Sequence, residues 1–138
     1  MAQQPLPQTQ ITASDIRTEP SPYRRLGGYD TIAAIIDSVL ERLGSDTRFV
    51  RFNVGRGEDS SRRGRRLLVD QLCELSGGPC IFLGRDMRTS HARLGITKSD
   101  WKATMRHMAR TLRDLRVARK ESEEVIALWT RYKGEIGE

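Results

Sequence analysis

The sequence is poor in aromatic and apolar side chains. Three phenylalanines, three tyrosines and two tryptophans give 6% aromatic residues, and hydrophobic residues make up 37% of the 138 positions. This length suits one domain, since domains cluster around roughly 100–150 residues. A domain of that size already has a large surface for its volume, so a full core is hard to build. We therefore expect something other than side chains to help fill the interior.

Long hydrophobic runs are absent as well. No stretch approaches the roughly 20 apolar residues that span a bilayer. The first ten residues, MAQQPLPQTQ, lack the basic and then apolar order of a signal peptide. These two absences predict a soluble cytoplasmic protein that does not enter a membrane.

Cysteine and histidine are scarce. Cys73 and Cys80 are seven positions apart and form no framework of the kind found in secreted proteins, which predicts reduced thiols. Together with His91 and His107 they show none of the paired close spacing that tetrahedral zinc sites use. The sequence therefore gives no reason to expect a zinc site.

Positive charge, by contrast, is plentiful. The formal net charge is +6 and the densest basic run is RRGRR, at positions 62–66. Three interpretations are open for this run: a solvated start of a helix, a contact with nucleic acid or an acidic membrane, or pairing with an acidic cofactor.

The chain divides into a polar tail and a helical domain. Residues 1–21 contain three of the five prolines and many Gln, Ser and Thr residues, a composition that is too polar to bury. We assign residues 1–21 to a flexible N-terminal extension and residues 22–138 to one folded domain. No segment has the pattern of a strand, which predicts an all-α fold.

Apolar residues recur every three or four positions along several segments, which predicts amphipathic helices. The clearest helix runs from Asp30, its expected N-cap, to Gly44, its expected end. A short helix with Phe49, Val50 and Phe52 buried is expected next, followed by a loop, GRGEDS. Further helices are expected over residues 61–75, near Met87 and His91, and after an N-cap at Thr97. The last expected helix uses the apolar positions Val125, Leu128, Trp129, Tyr132 and Ile136.

His91 has three interpretations when only its neighbours are considered. It could be a partly exposed surface residue, a catalytic base or a metal ligand. The neighbourhood MRTSHAR offers no carboxylate to orient the ring of a catalytic base. A single histidine is enough to hold iron in haem, where the porphyrin supplies four further donors. A bulky apolar cofactor would also fit the small supply of apolar side chains.

Four stretches carry a resemblance to a known family. YRRLGGYDTI, SGGP, GRDMRTSHARLGIT and SDWKATMRHMARTL resemble the successive signature stretches of group 1 truncated haemoglobins, in the same order, from about Tyr23 to Ile136. The resemblance implies a two-over-two helical sandwich around non-covalently bound haem b, with His91 as the proximal iron ligand. The Gly27-Gly28 and Gly77-Gly78 pairs would then allow sharp turns at helix ends.

The resemblance also implies which side chains surround the haem. Met87, one helical turn before His91, would share its haem-facing side, with ordinary core packing as the alternative. Arg88, and Arg65 or Arg66, would pair with haem propionates, with a solvated charge as the alternative for the latter two. The other members of the expected cofactor-binding set are apolar: Phe52, Leu68, Leu72, Phe82, Ile96 and Trp101.

The distal side, where the gaseous ligand binds, departs from the family pattern. Typical members have Phe-Tyr at the positions of Val39 and Leu40, and the tyrosine donates a hydrogen bond to bound dioxygen. The expected distal pocket consists of Val39, Leu40, Asn53, Leu67, Leu68 and Thr104. Losing one donor to such a polarised ligand costs on the order of 1.5–3 kcal/mol, or roughly tenfold to a hundredfold in oxygen retention. Carbon monoxide, which is less polar, should lose less. Asn53, Gln71, Thr104 or an arginine is the alternative source of a polar contact.

These features predict a haem protein that reversibly binds O2, CO and NO, as a monomer or weak dimer, with a reductase as a candidate partner. Nitric oxide dioxygenation and peroxidase-like activity are the enzyme functions to consider. The first needs oxygen to stay bound, and the second needs a distal acid–base group that the sequence does not supply. A small basic protein that binds nucleic acid through RRGRR is the alternative of a different class.

Overall fold

The computed structural model describes residues 20–52, 57–91 and 94–133. Within these ranges all regular structure is helical, which confirms the expected all-α fold. The helices are α1 (Pro22–Leu26), α2 (Tyr29–Ser45), a 3-10 helix (Thr47–Phe52), α3 (Glu58–Leu75), α4 (Met87–His91), α5 (Lys98–Asp114) and α6 (Arg119–Thr130). Nearly all of the predicted tail lies outside the described residues, as does Asn53, so those two expectations stay predictions.

The four long helices form two pairs that lie one on the other. Helix α2 packs against both α3 and α5, and α5 packs against α6, while α1 contacts α2 and α6. The core forms where these helices meet, because each contributes the apolar face of its 3.6-residue repeat. Its buried members are Leu26, Ile32, Ile35, Ile36, Val39, Val69, Leu72, Cys73, Leu112, Val125 and Trp129.

Several predicted boundaries differ from the structure. The N-cap of α2 is Gly28, so the prediction of Asp30 as its cap is wrong, and α2 ends at Ser45. Helix α3 begins at Glu58 instead of residue 61, because Glu58 and Asp59 place negative charge in its first turn, where the helix dipole favours it. Val50, expected to be buried, is 53% exposed. The 3-10 helix buries Phe49 and leaves its next residue on the outside.

Cys73 and Cys80 form a disulfide with their Cα atoms 5.7 Å apart, so the prediction of reduced thiols is wrong. The sequence separation did not reveal this pairing, since helix and extended chain would hold the two residues far apart. Gly77 has a φ of +93°, which suits glycine, and the Gly78 amide donates to the Cys73 carbonyl at 2.8 Å. This tight turn at the end of α3 brings Cys80 back beside Cys73.

Asp100 joins the start of α5 to the 3-10 helix. Its carboxylate accepts the Thr97 backbone N–H at 3.0 Å, while its own N–H donates to the Thr97 hydroxyl, which confirms the predicted cap. Arg48 and Arg51 of the 3-10 helix donate to the same carboxylate at 3.2 and 2.5 Å. The Thr97 N–H and the two guanidinium groups together lower the pKa of Asp100 to about 2, although its side chain is only 3% exposed.

We predict that the disulfide stabilises the fold. Replacing Cys80 with alanine should lower the free energy of unfolding by about 2–3 kcal/mol, because the crosslink closes a short loop in the unfolded chain. Denaturant titrations of the oxidised protein and of Cys80→Ala give this difference. Dithiothreitol should lower the midpoint of the unsubstituted protein and leave that of Cys80→Ala unchanged. Equal midpoints for the oxidised and reduced protein would contradict the prediction.

We predict that Asp100→Asn lowers the free energy of unfolding at neutral pH by about 1–3 kcal/mol, because three hydrogen-bond donors then lose their buried, negatively charged acceptor. The pKa of Asp100 is lowered on folding, so its contribution is present above the ordinary carboxyl pKa of about 4. It is lost as the pH falls through about 2. Stability curves between pH 7 and pH 2 should therefore be flatter for the variant.

The matched control is Asp114→Asn, which removes the partner of Arg42 at a site where the Asp114 side chain is 48% exposed. A solvated ion pair contributes little, so this variant should change stability much less. An equal loss in the two variants would show that the position of Asp100 under the 3-10 helix has no special importance.

Candidate functional site

A cavity of about 540 Å³ opens between the two helix pairs. This volume lies within the roughly 300–1,000 Å³ typical of sites for cofactors and small molecules. Helix α2 supplies four apolar side chains to its wall, and α3, α4, α5 and the 3-10 helix supply most of the rest. The α2 members are Ile36, Val39, Leu40 and Leu43.

His91 is the histidine on the cavity wall, and its ring is held by one nitrogen. Nδ1 lies 3.0 Å from the Met87 carbonyl oxygen and 2.9 Å from the Ser90 hydroxyl. A carbonyl oxygen can only accept, and the Ser90 hydroxyl donates its own proton to this carbonyl at 3.3 Å, so these contacts place a proton on Nδ1. Nε2 then keeps a free lone pair, which is the arrangement that metal-ligating histidines adopt.

His107 has a different position. It does not line the cavity, and its Nε2 lies 2.8 Å from an Asp46 carboxylate oxygen. This hydrogen bond lowers the pKa of Asp46 below its ordinary value. The ring packs edge-on against Phe49, with the two centroids 6.2 Å apart. His107 therefore has a structural contact between α5 and the start of the 3-10 helix.

The structure brings most of the predicted site residues together around the cavity. His91 lines it, as do six of the residues expected to hold a cofactor: Phe52, Arg65, Leu68, Met87, Ile96 and Trp101. Val39, Leu40 and Thr104 of the expected distal pocket line it as well, beside Leu68. The Thr104 hydroxyl donates to the Asp100 carbonyl at 3.0 Å, so its proton is used within α5.

Four predicted residues lie elsewhere. Leu72 is fully buried in the core, on the part of α3 that faces the other helices. Phe82 and Leu67 meet at Gly84, where an added Cβ would lie 2.5 Å from the nearest atom of the Phe82 ring and 3.4 Å from Leu67. These two therefore pack against the segment that follows α3. Arg88 is exposed and does not line the cavity.

The basic run at positions 62–66 is only partly free. Arg65 donates to both carboxylate oxygens of Asp37 on α2, at 2.5 and 3.0 Å, which lowers the pKa of Asp37. Arg62 pairs with Asp59 at 2.6 Å within α3. Arg65 still lines the cavity, so an acidic group at this rim would share its guanidinium with Asp37.

Sequence reasoning missed several wall residues. Ile36, Leu43 and Trp129 belong to the apolar faces of their helices, and the 3.6-residue period does not distinguish a core position from a cavity wall. Gln71 is 4% exposed and lines the cavity, where its Nε2 lies 3.3 Å from the Met87 sulfur. The sequence named this glutamine only as one source of a polar contact.

The donor set fits an iron porphyrin better than a bare metal ion. The described residues contain no group of three or more His, Cys, Asp and Glu side chains that could hold a metal. One imidazole with a free nitrogen on an apolar wall suits a metal that brings its other donors with it, as haem iron does. Across residues 20–52, 57–91 and 94–133, no helix is long and apolar enough to span a bilayer.

The model of the bacterial-like globin family matches residues 21–137, and the chain therefore belongs to that family. It is a haem-binding globin, and the resemblance to truncated haemoglobins is confirmed. The group 1 truncated haemoglobin GlbN of Nostoc sp. (strain MUN 8820) is 25% identical over 83% of this chain and 94% of its own length. The group 1 truncated haemoglobin LI410 of Chlamydomonas moewusii is 25% identical over 97% of this chain and 82% of its own length.

Solved structures agree with this fold. The truncated haemoglobin of Tetrahymena pyriformis in its Fe(III) form has a TM-score of 0.76 and 22% identity, covering 86% of this chain and all of that one. THB1 of Chlamydomonas reinhardtii has a TM-score of 0.72 and 26% identity, covering 86% of this chain and 98% of its own. The two-over-two truncated globin fold expected from the sequence is confirmed.

Proposed function

We propose that the chain binds haem b through Nε2 of His91 and reversibly binds diatomic ligands beside Leu40. The observation that carries this proposal is the hydrogen bond from His91 Nδ1 to the Met87 carbonyl, on the wall of an apolar cavity. When haem is bound, it supplies the iron to which O2, CO or NO can bind.

In this proposal, different residues of the chain hold different parts of the haem. Met87, Ile96, Trp101, Phe52 and Leu68 give it apolar surface and keep water away from it. Arg65 at the rim and the exposed Arg88 provide positive charge for the two acidic propionates of haem b. His91 provides the nitrogen ligand, held in one tautomer by its hydrogen bond to α4.

The distal wall has few groups that could donate to a polar ligand. Val39 and Leu40 are aliphatic, and the Thr104 hydroxyl donates to the Asp100 carbonyl. A hydrogen bond from a distal donor would slow the escape of dioxygen by roughly tenfold to a hundredfold. The proposed pocket therefore retains dioxygen weakly and prefers the less polar carbon monoxide.

The side chains of the same cavity wall favour ligand binding over catalysis. Proton transfer in peroxidase-like chemistry needs an acid–base side chain close to the reacting atoms. The described wall contains no Asp or Glu, and its histidine is the proposed iron ligand. Nitric oxide dioxygenation would also be limited by the weak retention of dioxygen.

We predict that His91→Gly removes the nitrogen ligand and leaves the cavity otherwise intact. Protein purified from haem-replete cells should lose its normal haem absorption band, and added imidazole should restore that band by occupying the vacated position. Absorption spectra with and without imidazole measure both effects. His107→Gln is the matched control, because His107 is the other histidine of the chain and bonds Asp46 away from the cavity. A normal haem spectrum in His91→Gly without imidazole would disprove the proposed ligand.

We predict that Leu40→Tyr slows dioxygen release by roughly tenfold to a hundredfold, because the new hydroxyl supplies the missing donor. Leu40→Phe is its control, since it adds the same ring without the hydroxyl. Stopped-flow measurement of dioxygen and carbon monoxide release separates the two effects. Equal oxygen release from the two variants would mean that volume, and not hydrogen bonding, controls retention at this position.

A further inference from the structure

The helix that carries His91 has few attachments to the rest of the protein. Helix α4 has only five residues, and its backbone bond from Ser90 N–H to the Asp86 carbonyl is local. Among the described residues, one hydrogen bond joins α4 to another helix. That bond runs from Gln71 Nε2 on α3 to the sulfur of Met87, the first residue of α4, at 3.3 Å. This contact is therefore a direct polar link between α4 and α3.

Packing alone does not explain why a glutamine occupies the buried wall position 71. It is 4% exposed, and Met87 is 7% exposed. Burying a carboxamide costs free energy unless its hydrogen bonds are replaced, and a thioether is a weak acceptor. A leucine or methionine of similar volume would fill the same space without that cost. The contact with Met87 therefore orients the Met87 side chain more than it stabilises the fold.

Met87 is the residue that connects this contact to His91. Its side chain receives the Gln71 amide, and its backbone carbonyl accepts the proton of His91 Nδ1 at 3.0 Å. Fixing the side chain of Met87 fixes the first turn of α4, and with it the direction of that carbonyl. The carbonyl in turn sets the tautomer and the orientation of the imidazole.

We infer that Gln71 is a positioning residue for His91, acting through Met87 on the hydrogen bond that Nδ1 donates. This inference rests on the proposed function, in which Nε2 is the iron ligand. Gln71 is not expected to touch the gaseous ligand or the iron. Its effect is on the strength and direction of the bond between the imidazole and the metal, because a firmly hydrogen-bonded Nδ1–H makes the imidazole a stronger ligand.

The test uses the haem-loaded protein with Gln71→Leu and Met87→Leu, separately and combined. Both changes nearly conserve volume, so the fold should persist. In the ferrous protein without added gas, resonance Raman should find the iron–histidine stretching band shifted in the same direction in both single variants. The double variant should match the singles, because the two changes break one contact. Exchange of the α4 amide protons should become about fivefold faster, the factor expected for one net hydrogen bond.

The control is Glu74→Ala. Glu74 lies three residues after Gln71 on α3 and accepts the Phe82 backbone N–H at 3.4 Å, so it also holds the segment between α3 and α4. It does not bond α4, and its loss should leave the iron–histidine band in place. An equal band shift in Glu74→Ala would assign the effect to general loosening of that segment and overturn the inference.

The outcomes separate this inference from the proposed function. If the iron–histidine band survives in His91→Gly, the proposed ligand is wrong and the inference falls with it. If the band requires His91 but is unmoved in Gln71→Leu, only the role of Gln71 is overturned. Additive band shifts in the double variant would likewise overturn it, since they would mean that Gln71 and Met87 act on His91 independently.

Discussion

The hydrogen bond between His91 Nδ1 and the Met87 carbonyl is the interaction on which the site depends. A neutral imidazole has two tautomers, and only the one protonated at Nδ1 leaves Nε2 free to bind a metal. Residues 87 and 91 are four apart, so one helical turn brings the ring to the carbonyl. This five-residue helix therefore has a specific task, and the long helices place it against the cavity.

The apolar wall couples the stability of the fold to what the cavity holds. Side chains such as Leu40, Leu68 and Trp101 face the cavity as well as the protein, so part of their apolar surface lacks a protein neighbour. An apolar ligand that covers this surface stabilises the folded state by about 25 cal/mol for each Å² removed from water. The low aromatic content of the sequence fits this arrangement, because a bound cofactor would cover apolar surface that core side chains cover in other proteins.

The sequence predicted the elements better than their contacts. Local signals located the helix that contains His91 and the cap formed by Thr97 and Asp100, because both depend on residues close in the chain. Leu68 and Leu72 lie four positions apart on one face of α3, yet one lines the cavity and the other is in the core. Periodicity gives the same signal for both positions, and only the packing of the other helices separates them.

The disulfide and the pairs made by arginine were missed for a related reason. They need two segments to meet, and the sequence gives the residues without the distance between them. Cys80 reaches Cys73 only because the chain turns at Gly77, and Arg65 reaches Asp37 only because α2 lies beside α3. For the same reason the sequence did not reveal the contact of Gln71 with Met87, which is sixteen residues away on another helix.

Three polar side chains on the cavity wall each donate to a partner in the protein. Arg65 donates to Asp37, Thr104 to the Asp100 carbonyl, and Gln71 to the Met87 sulfur. Each partner competes with a ligand for the same donor, and a charged partner such as Asp37 competes most strongly. Polar groups near the pocket thus do not by themselves make the pocket polar. Discrimination among small gases would then rest on shape and on the iron–imidazole bond, which Gln71 is proposed to adjust through Met87.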